Sequence, residues 1–458
     1  MQYFCLSAIY LDRNQNKRTM KRNNLWLATA LMMAVTMTAC SVNNDNEKEP
    51  KVVICPVDPG YIDPKDVDPK DNPLRLIELT RTEQQLVEGN NDFAFRLFRQ
   101  SSDPLEDQII SPISITYALG MLNNGAAGET QAQINKTLGF SDTGADGINA
   151  FCQKMLIEGP NLDKLTKVMI ANTIFMNKNY TLKPDFVKKA NDYYLAQPET
   201  RDFADGKTLD VINQWASDHT QKMIEKVLSP DEFNPLAVSY LLNAIYFKGN
   251  WAQKFDANET QMEDFEHAGP DKYLLQVPMM HQKEQFPYTE NNLCQAVSLP
   301  YGNGAFALTL LLPREGKQVS DVLNTLTAET WRSNYQYMGI ANVDLKLPRF
   351  ESNTNLNLVE IMKSLGMPYA FDPYKAEFPN FCDADTYIGL MKQVARIKLD
   401  ETGTEAAAVT VIGMDVTAFE EPPVIKEVVL HANRPFLYVI SEQSTGTIFF
   451  IGQYMGNQ

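Results

Sequence analysis

Residues 400–423, DETGTEAAAVTVIGMDVTAFEEPP, decide how the rest of the chain is read. A strand-like run at 391–400 (MKQVARIKLD) leads into them, and they pass through a Gly-Thr pivot and three alanines to an acidic, proline-ended exit. The alternate positions Thr404, Ala406, Ala408 and Thr410 are all small. One face of an extended strand built from them would slide into an existing sheet without steric conflict. Neither proline nor charge interrupts that face, where proline would break a ladder and a charge would be buried unpaired. Taken alone, the same residues also suit a surface helix, because alanine favours helix, or an ordinary loop between strands.

The 458 residues are 44% hydrophobic, enough for a sizeable core in one large fold or several average domains. A formal charge of −16 argues against a nucleic-acid partner, which would want a basic face. Near the N-terminus, Lys21 and Arg22 precede an apolar run at 25–35 that ends in Met37-Thr38-Ala39-Cys40. This resembles a bacterial lipoprotein signal with its lipobox, although methionine stands where leucine is usual, and the run is too short to span a bilayer as a mature helix. Met20 makes a better start than Met1. The resemblance implies a signal region at 1–40, lipid on Cys40, and several acyl chains holding the protein at about 0.8 kcal/mol per buried methylene. With Cys5 removed and Cys40 modified, Cys55, Cys152, Cys294 and Cys382 remain, scattered without metal or redox spacing, and the last three read as structural thiols.

Residues 41–75 are rich in Asn, Asp, Glu, Lys and Pro, with Asp-Pro at 58–59, 63–64 and 68–69. Such a segment buries too little apolar area to offset chain entropy, so it reads as an extended tether. Residues 76–458 read as one continuous domain. Phe93, Ala94, Leu97 and Phe98 share one helical face within 91–100, and 109–140 reads as a buried helix, a Gly-rich turn and a second helix from about Glu129. Strands are expected at 168–175, 238–247, 295–299 and 306–312, with Asn303-Gly304 as a hairpin signal. A helix at 356–365 and closing strands at 436–440 and 447–451 complete an α+β pattern with large, well-buried sheets.

Six further motifs stand in order: ISPISITYALGML from Ile110, ANTIFMNKNYTLKPDF from Ala171, LLNAIYFKGNW from Leu241, VPMMHQ from Val277, LKLPRF from Leu345 and RPFLYVI from Arg434. Together with the stretch at 400–423 they resemble the serpins over nearly all of 76–456. The resemblance implies an α+β serpin fold of three β-sheets, about eight or nine helices and an exposed reactive-centre loop. It implies a suicide-substrate inhibitor of serine, and also cysteine, endopeptidases, whose cut loop inserts into the main sheet as a new strand. By the same resemblance Glu401, Gly403, Thr404, Glu405, Ala406, Ala407, Ala408, Val409 and Thr410 form the hinge. The family spacing sets the cut bond at Thr417-Ala418, with Met414 and Phe419 as alternatives in a loop slightly longer than in many relatives. A small residue there suits an elastase-like or subtilisin-like protease, and Phe419 a chymotrypsin-like one.

Trp251, Arg349 and Glu401 match the breach where the loop first enters, and opposite charge there is expected to hold the sheet's upper end closed. Ser111, Ser114, Asn243 and Gln393 match the shutter beneath the central strands. Gln393 stands where the family often has histidine, so no histidine-driven pH switch is expected at that point.

No catalytic machinery is legible. The four histidines, His219, His267, His281 and His431, have no zinc-type helical spacing, and there is no nucleophile elbow, Walker loop or complete dinucleotide fingerprint. The expectation is a non-enzyme without metal or cofactor, a monomer whose partners are a target protease and a membrane reached through the lipid anchor alone. Its place would be the bacterial outer membrane, facing periplasm or exterior. The competing reading is a non-inhibitory serpin-fold binding or scaffold protein.

Overall fold

Thr80 opens the first helix with a reciprocal cap. Its hydroxyl accepts from the Glu83 amide at 3.2 Å, and the Glu83 carboxylate accepts from the Thr80 amide at 2.7 Å. The helix therefore starts ten residues ahead of the stretch expected from its apolar face. In the computed structural model, residues 67–269, 273–403 and 425–456 are described. The elements run α1 (Arg81–Ser101), β1 (Gln108–Ile110), α2 (Pro112–Asn123), α3 (Gly128–Thr137), α4 (Gly144–Glu158), β2 (Thr166–Asn177), α5 (Pro184–Tyr194), β3 (Gln197–Arg201), α6 (Lys207–His219) and β4 (Ser239–Gly249). Then follow β5 (Gln261–Glu266), β6 (Leu274–Glu290), β7 (Cys294–Tyr301), β8 (Phe306–Pro313), α7 (Val319–Leu323), α8 (Ala328–Trp331), β9 (Gly339–Pro348), β10 (Phe350–Asn357) and α9 (Val359–Ser364). Strands β11 (Lys392–Leu399), β12 (Lys426–His431), β13 (Phe436–Glu442) and β14 (Ile448–Tyr454) close the chain.

Among the described residues this makes nine α-helices and three sheets. One has nine strands in the order β1-β14-β13-β8-β7-β6-β9-β12, with β5 beside β6; the others are β3-β2-β4 and β10-β11. Of the apolar runs expected as strands, those at 168–175 and 238–247 fall in β2 and β4 of the three-stranded sheet, and the rest fall in the nine-stranded sheet, where every residue of β8, β13 and β14 is buried. Phe350 packs on Tyr454 with ring centroids 4.7 Å apart, and Phe436 and Tyr438 join the same cluster. Each such side chain contributes about 1.5–3 kcal/mol by leaving water.

Helix α2 starts with Pro112 at its first turn and is buried on nearly all sides. A Cβ on Gly120 would come 2.5 Å from Ile148 Cγ2, so this helix needs a bare backbone there. The helix expected at 356–365 begins later, because Leu356 and Asn357 finish β10 by pairing with Gln393 and Lys392. At the β7–β8 hairpin, Tyr301 pairs with Phe306 across a four-residue loop, with positive φ at Gly302 (44°) and Gly304 (87°). Asn303 keeps its side chain for other work.

Candidate functional site

Strand β11 ends in a tight turn. Asp400 N donates to Gly403 O at 3.0 Å and Gly403 N returns a bond to Asp400 O at 3.2 Å, while the Asp400 carboxylate accepts from the Thr402 amide at 3.0 Å. The chain thereby reverses and Gly403 forms bridges on two sides, to Asp400 after β11 and to Asn250 after β4. Its φ is 121°, and a Cβ would lie 2.5 Å from both Gly249 O and Trp251 N. Both backbone shape and space demand glycine here.

Trp251 closes this end from behind. It is 2% exposed, donates from Nε1 to Asp400 O at 3.0 Å and from its amide to Thr402 O at 3.2 Å, and stacks on Tyr301 with centroids 4.6 Å apart. The Glu401 carboxylate accepts from Thr260 Oγ1 at 2.8 Å, and its carbonyl from Phe255 N at 3.1 Å. Arg349 NH1 lies 3.4 Å from Glu401 Oε1. Arg349 precedes β10 and Glu401 follows β11, and those two strands pair with each other, so this ion pair sits within one half of the site. Beside this ion pair, Thr260 and Phe255, from the segment after β4, hold Glu401 on the β4 side as well.

Between the two strands lies the central feature. No ladder joins β4 to β11 among the described residues; each is paired on its outer side, β4 with β2 and β11 with β10. Both strands stand over α2 at their lower ends. Gln393 of β11 grips the peptide of Ser111, accepting from its amide at 3.1 Å and donating to its carbonyl at 2.8 Å. The Ser111 hydroxyl turns to Phe449 O at 2.8 Å, and Ser114 Oγ bonds Asn243 Oδ1 of β4. Among the described residues the two strands, each fastened to one helix and not paired with the other, flank a slot whose upper mouth holds Gly403.

A family model described as serpin (serine protease inhibitor) matches residues 88–456. The chain belongs to the serpin family. The horse (Equus caballus) leukocyte elastase inhibitor is 32% identical to it over 81% of this chain and 99% of its own length. An uncharacterized serpin-like protein of Thermococcus kodakarensis is 29% identical over 81% of this chain and 86% of its own. Among solved structures, the thermophilic serpin tengpin in its native state superposes with a TM-score of 0.73 at 30% identity, covering 84% of this chain and 97% of tengpin. Thyroxine-binding globulin in complex with thyroxine gives 0.71 at 26% identity, covering 81% and 99%.

In this serpin the structure brings together Glu401, Gly403, Trp251 and Arg349 at the upper end, and Ser111, Ser114, Asn243 and Gln393 at the lower. Thr404, Glu405, Ala406, Ala407, Ala408, Val409, Thr410, Met414, Thr417, Ala418, Phe419 and Cys40 lie outside the described residues. Sequence reasoning missed Asn172, whose Oδ1 accepts from Asn243 Nδ2 at 2.8 Å and whose Nδ2 donates to Tyr194 O at 2.8 Å, fixing which way the Asn243 amide points. It also missed Lys392 and Glu232, 2.7 Å apart, which join the first residue of β11 to the segment ahead of β4. The Lys392 ammonium, helped by the Ser229 amide, holds the Glu232 carboxyl down at about 2. The spacing of Ser229 and Glu232 is a turn signature that could have located the carboxylate, though not its partner.

Two distant histidines also meet. His281 Nε2 and His431 Nε2 each lie 3.1 Å from Asp344 Oδ1, and the bond from His431 leads in holding that carboxyl below its usual range. Among the described residues no group has the arrangement of a metal site. Cys152, Cys294 and Cys382 are buried and free, and burial pushes all three thiols up, away from reactivity. No helix of the described residues is long and apolar enough to cross a membrane.

Proposed function

We propose that this serpin is a suicide-substrate inhibitor of serine, and by the same acyl chemistry cysteine, endopeptidases. The observation that carries the reading is Gly403, paired to both sides of the slot between β4 and β11. Carrying both pairings onward residue by residue sets Thr404 opposite Gly249 and Leu399, Ala406 opposite Phe247 and Ile397, and Ala408 opposite Ile245 and Ala395. Thr410 then meets Asn243 and Gln393, the two amides of the lower end. Leu399, Ile397, Ala395 and Gln393 are all buried, so the inserted strand turns its small residues inward. Each gained ladder bond contributes about 0.5–1.5 kcal/mol net, and a dozen residues give a large driving force.

The protease nucleophile attacks the carbonyl of Thr417, the bond to Ala418 breaks, and the amine leaves with a proton from the protease's own acid. The acyl-enzyme then travels with the inserting strand until distortion of the protease stalls hydrolysis. On the extended register Met414 is the last residue with a partner on β4, opposite Ser239. A cut there would leave the acyl-linked residue still between the strands, which favours Thr417 or Phe419. The target class is elastase-like, subtilisin-like or chymotrypsin-like.

Mixing the protein with such a protease panel and running denaturing gels with intact mass tests the reading. A complex at the summed mass with a released peptide beginning at Ala418 supports it. Clean loop cleavage with no complex across the panel would move the choice to a non-inhibitory binder, the reading favoured by likeness to thyroxine-binding globulin with its bound thyroxine. We further propose a lipid on Cys40 and a place on the bacterial outer membrane, facing periplasm or exterior. Labelling with a fatty-acid probe that disappears in Cys40→Ala tests that.

A further inference from the structure

The N-terminal arm enters the fold at the mouth of the slot. Asn72 is 8% exposed and donates from Nδ2 to Asp163 Oδ1 at 2.7 Å, while its own Oδ1 accepts from Lys164 N at 3.0 Å. The Asp163 carboxylate, 5% exposed, also accepts from Leu165 N at 2.9 Å, from Thr166 Oγ1 at 2.5 Å and from Asn303 N at 3.3 Å. Asn303 Nδ2 donates to Pro73 O at 3.1 Å and to Leu162 O at 2.8 Å. The arm, the start of β2 and the β7–β8 turn are thus knotted around one buried carboxylate. The turn lies directly on it, since a Cβ on Gly302 would come 1.9 Å from Asp163 Oδ2.

That turn supports the mouth. Gly302 N donates to Asn250 O at 2.7 Å, Ala252 N donates to Pro300 O at 2.8 Å, and Tyr301 carries the stack with Trp251. Asn250 and Trp251 are the residues that face Gly403 and Thr402. On the other side, Thr166 is opposite Gly249 at the top of β4. Both walls of the β4 side of the mouth therefore rest on Asp163.

We propose that Asn72 and Asp163, through the Tyr301–Gly304 turn, are positioning residues for the first step of strand insertion. This rests on the insertion reading above and adds to it a regulator: the arm holds Asn250 and Trp251 in the geometry that pairs with the incoming hinge. A chain without the clasp still folds and still presents its loop, but takes up the cut strand more slowly. Hydrolysis of the acyl-enzyme then wins more often, and more inhibitor is spent as substrate for each protease trapped.

The test uses the full chain, cut in its loop by a metalloprotease that forms no acyl-enzyme, with insertion followed by tryptophan fluorescence and by the gain in Tm. Asn72→Ala and Asn303→Ala are expected to slow the post-cleavage phase by about fivefold or more, the weight of one or two hydrogen bonds. Arg75→Ala is the control: on the same arm, its NH1 makes one long contact, to Asn161 O at 3.4 Å, and bonds neither Asp163 nor Asn303 among the described residues, so the parent rate is expected. Parent rates in both asparagine variants would overturn the clasp while leaving insertion intact, as would equal slowing in all three. A parent that shows neither a phase nor a rise in Tm after cleavage would remove the insertion reading and the clasp with it. Where a protease is trapped, the number of inhibitor molecules consumed per complex is expected to rise in the two asparagine variants.

Discussion

Gln393 and Ser111 form an amide pair: the side chain of one matches both the N–H and the C=O of the other, at 3.1 and 2.8 Å. A histidine ring cannot present a donor and an acceptor side by side to a single peptide in this way. The pair also carries no titratable proton. Inhibition should consequently show no steep change between about pH 5.5 and 7.5, once the protease's own profile is divided out, because the imidazole that titrates there is missing. A steep parent profile would contradict this, and Gln393→His is expected to introduce one.

Replacing Gln393 by Glu turns the donor toward Ser111 O into a second acceptor. The lost bond and the buried carboxylate together should cost about 1–3 kcal/mol, read as a lower midpoint in urea unfolding at pH 7. Asn172→Ala is expected to act at one remove, freeing the Asn243 amide to rotate and weakening its hold on Ser114.

The Lys392–Glu232 pair makes a prediction in the acid range. Glu232 sits at about 2 in the folded protein against 4.5 for an ordinary glutamate, chiefly because of the Lys392 ammonium. A depressed carboxyl stabilises the fold fully above its unfolded value, and the contribution is lost as pH falls from 4.5 toward 2. Lys392→Met should flatten that part of the stability profile, with urea midpoints compared at pH 7, 5 and 3. An unchanged acid limb in the variant would show that the pair adds nothing.

Gly403→Val places a branched side chain where 2.5 Å separates a Cβ from two backbone atoms, at a φ of 121°. The mouth can then no longer pair on both sides. The expected outcome is loop cleavage at the parental rate with loss of the denaturation-resistant complex.

Thr404→Arg asks the same question one residue further in, by charge instead of strain. A guanidinium opposite Leu399 would be buried without a partner. Retained inhibition by this variant would sink insertion as the mechanism here.

Much of the fold is legible in local pattern. The apolar runs of β8, β13 and β14 are so continuous that only buried strands explain them, and the face built by Phe93, Leu97 and Phe98 marks α1. The boundaries depend on polar detail: the Thr80–Glu83 cap extends α1 backward, and the pairing of Leu356 with Gln393 keeps for β10 two residues whose propensity suits a helix. The residues of the two ends of the slot are legible because their motifs are distinctive in wording. What stayed hidden are unions of residues far apart in sequence. Lys392 with Glu232, Asn72 with Asp163, and His281 with His431 carry no local sign of their partners, since each looks like a solvated polar group until the chain closes on it.

The slot between β4 and β11 has a consequence for numbers. The turn at Asp400–Gly403 sends the chain back against the direction of both β4 and β11, as the two antiparallel bridges of Gly403 show. On the proposed mechanism the slot takes up one strand once, from the molecule's own loop, and nothing in the fold would draw that strand out again. Inhibition would then scale with how many unspent copies are present when a protease arrives, since a spent copy has no second turn.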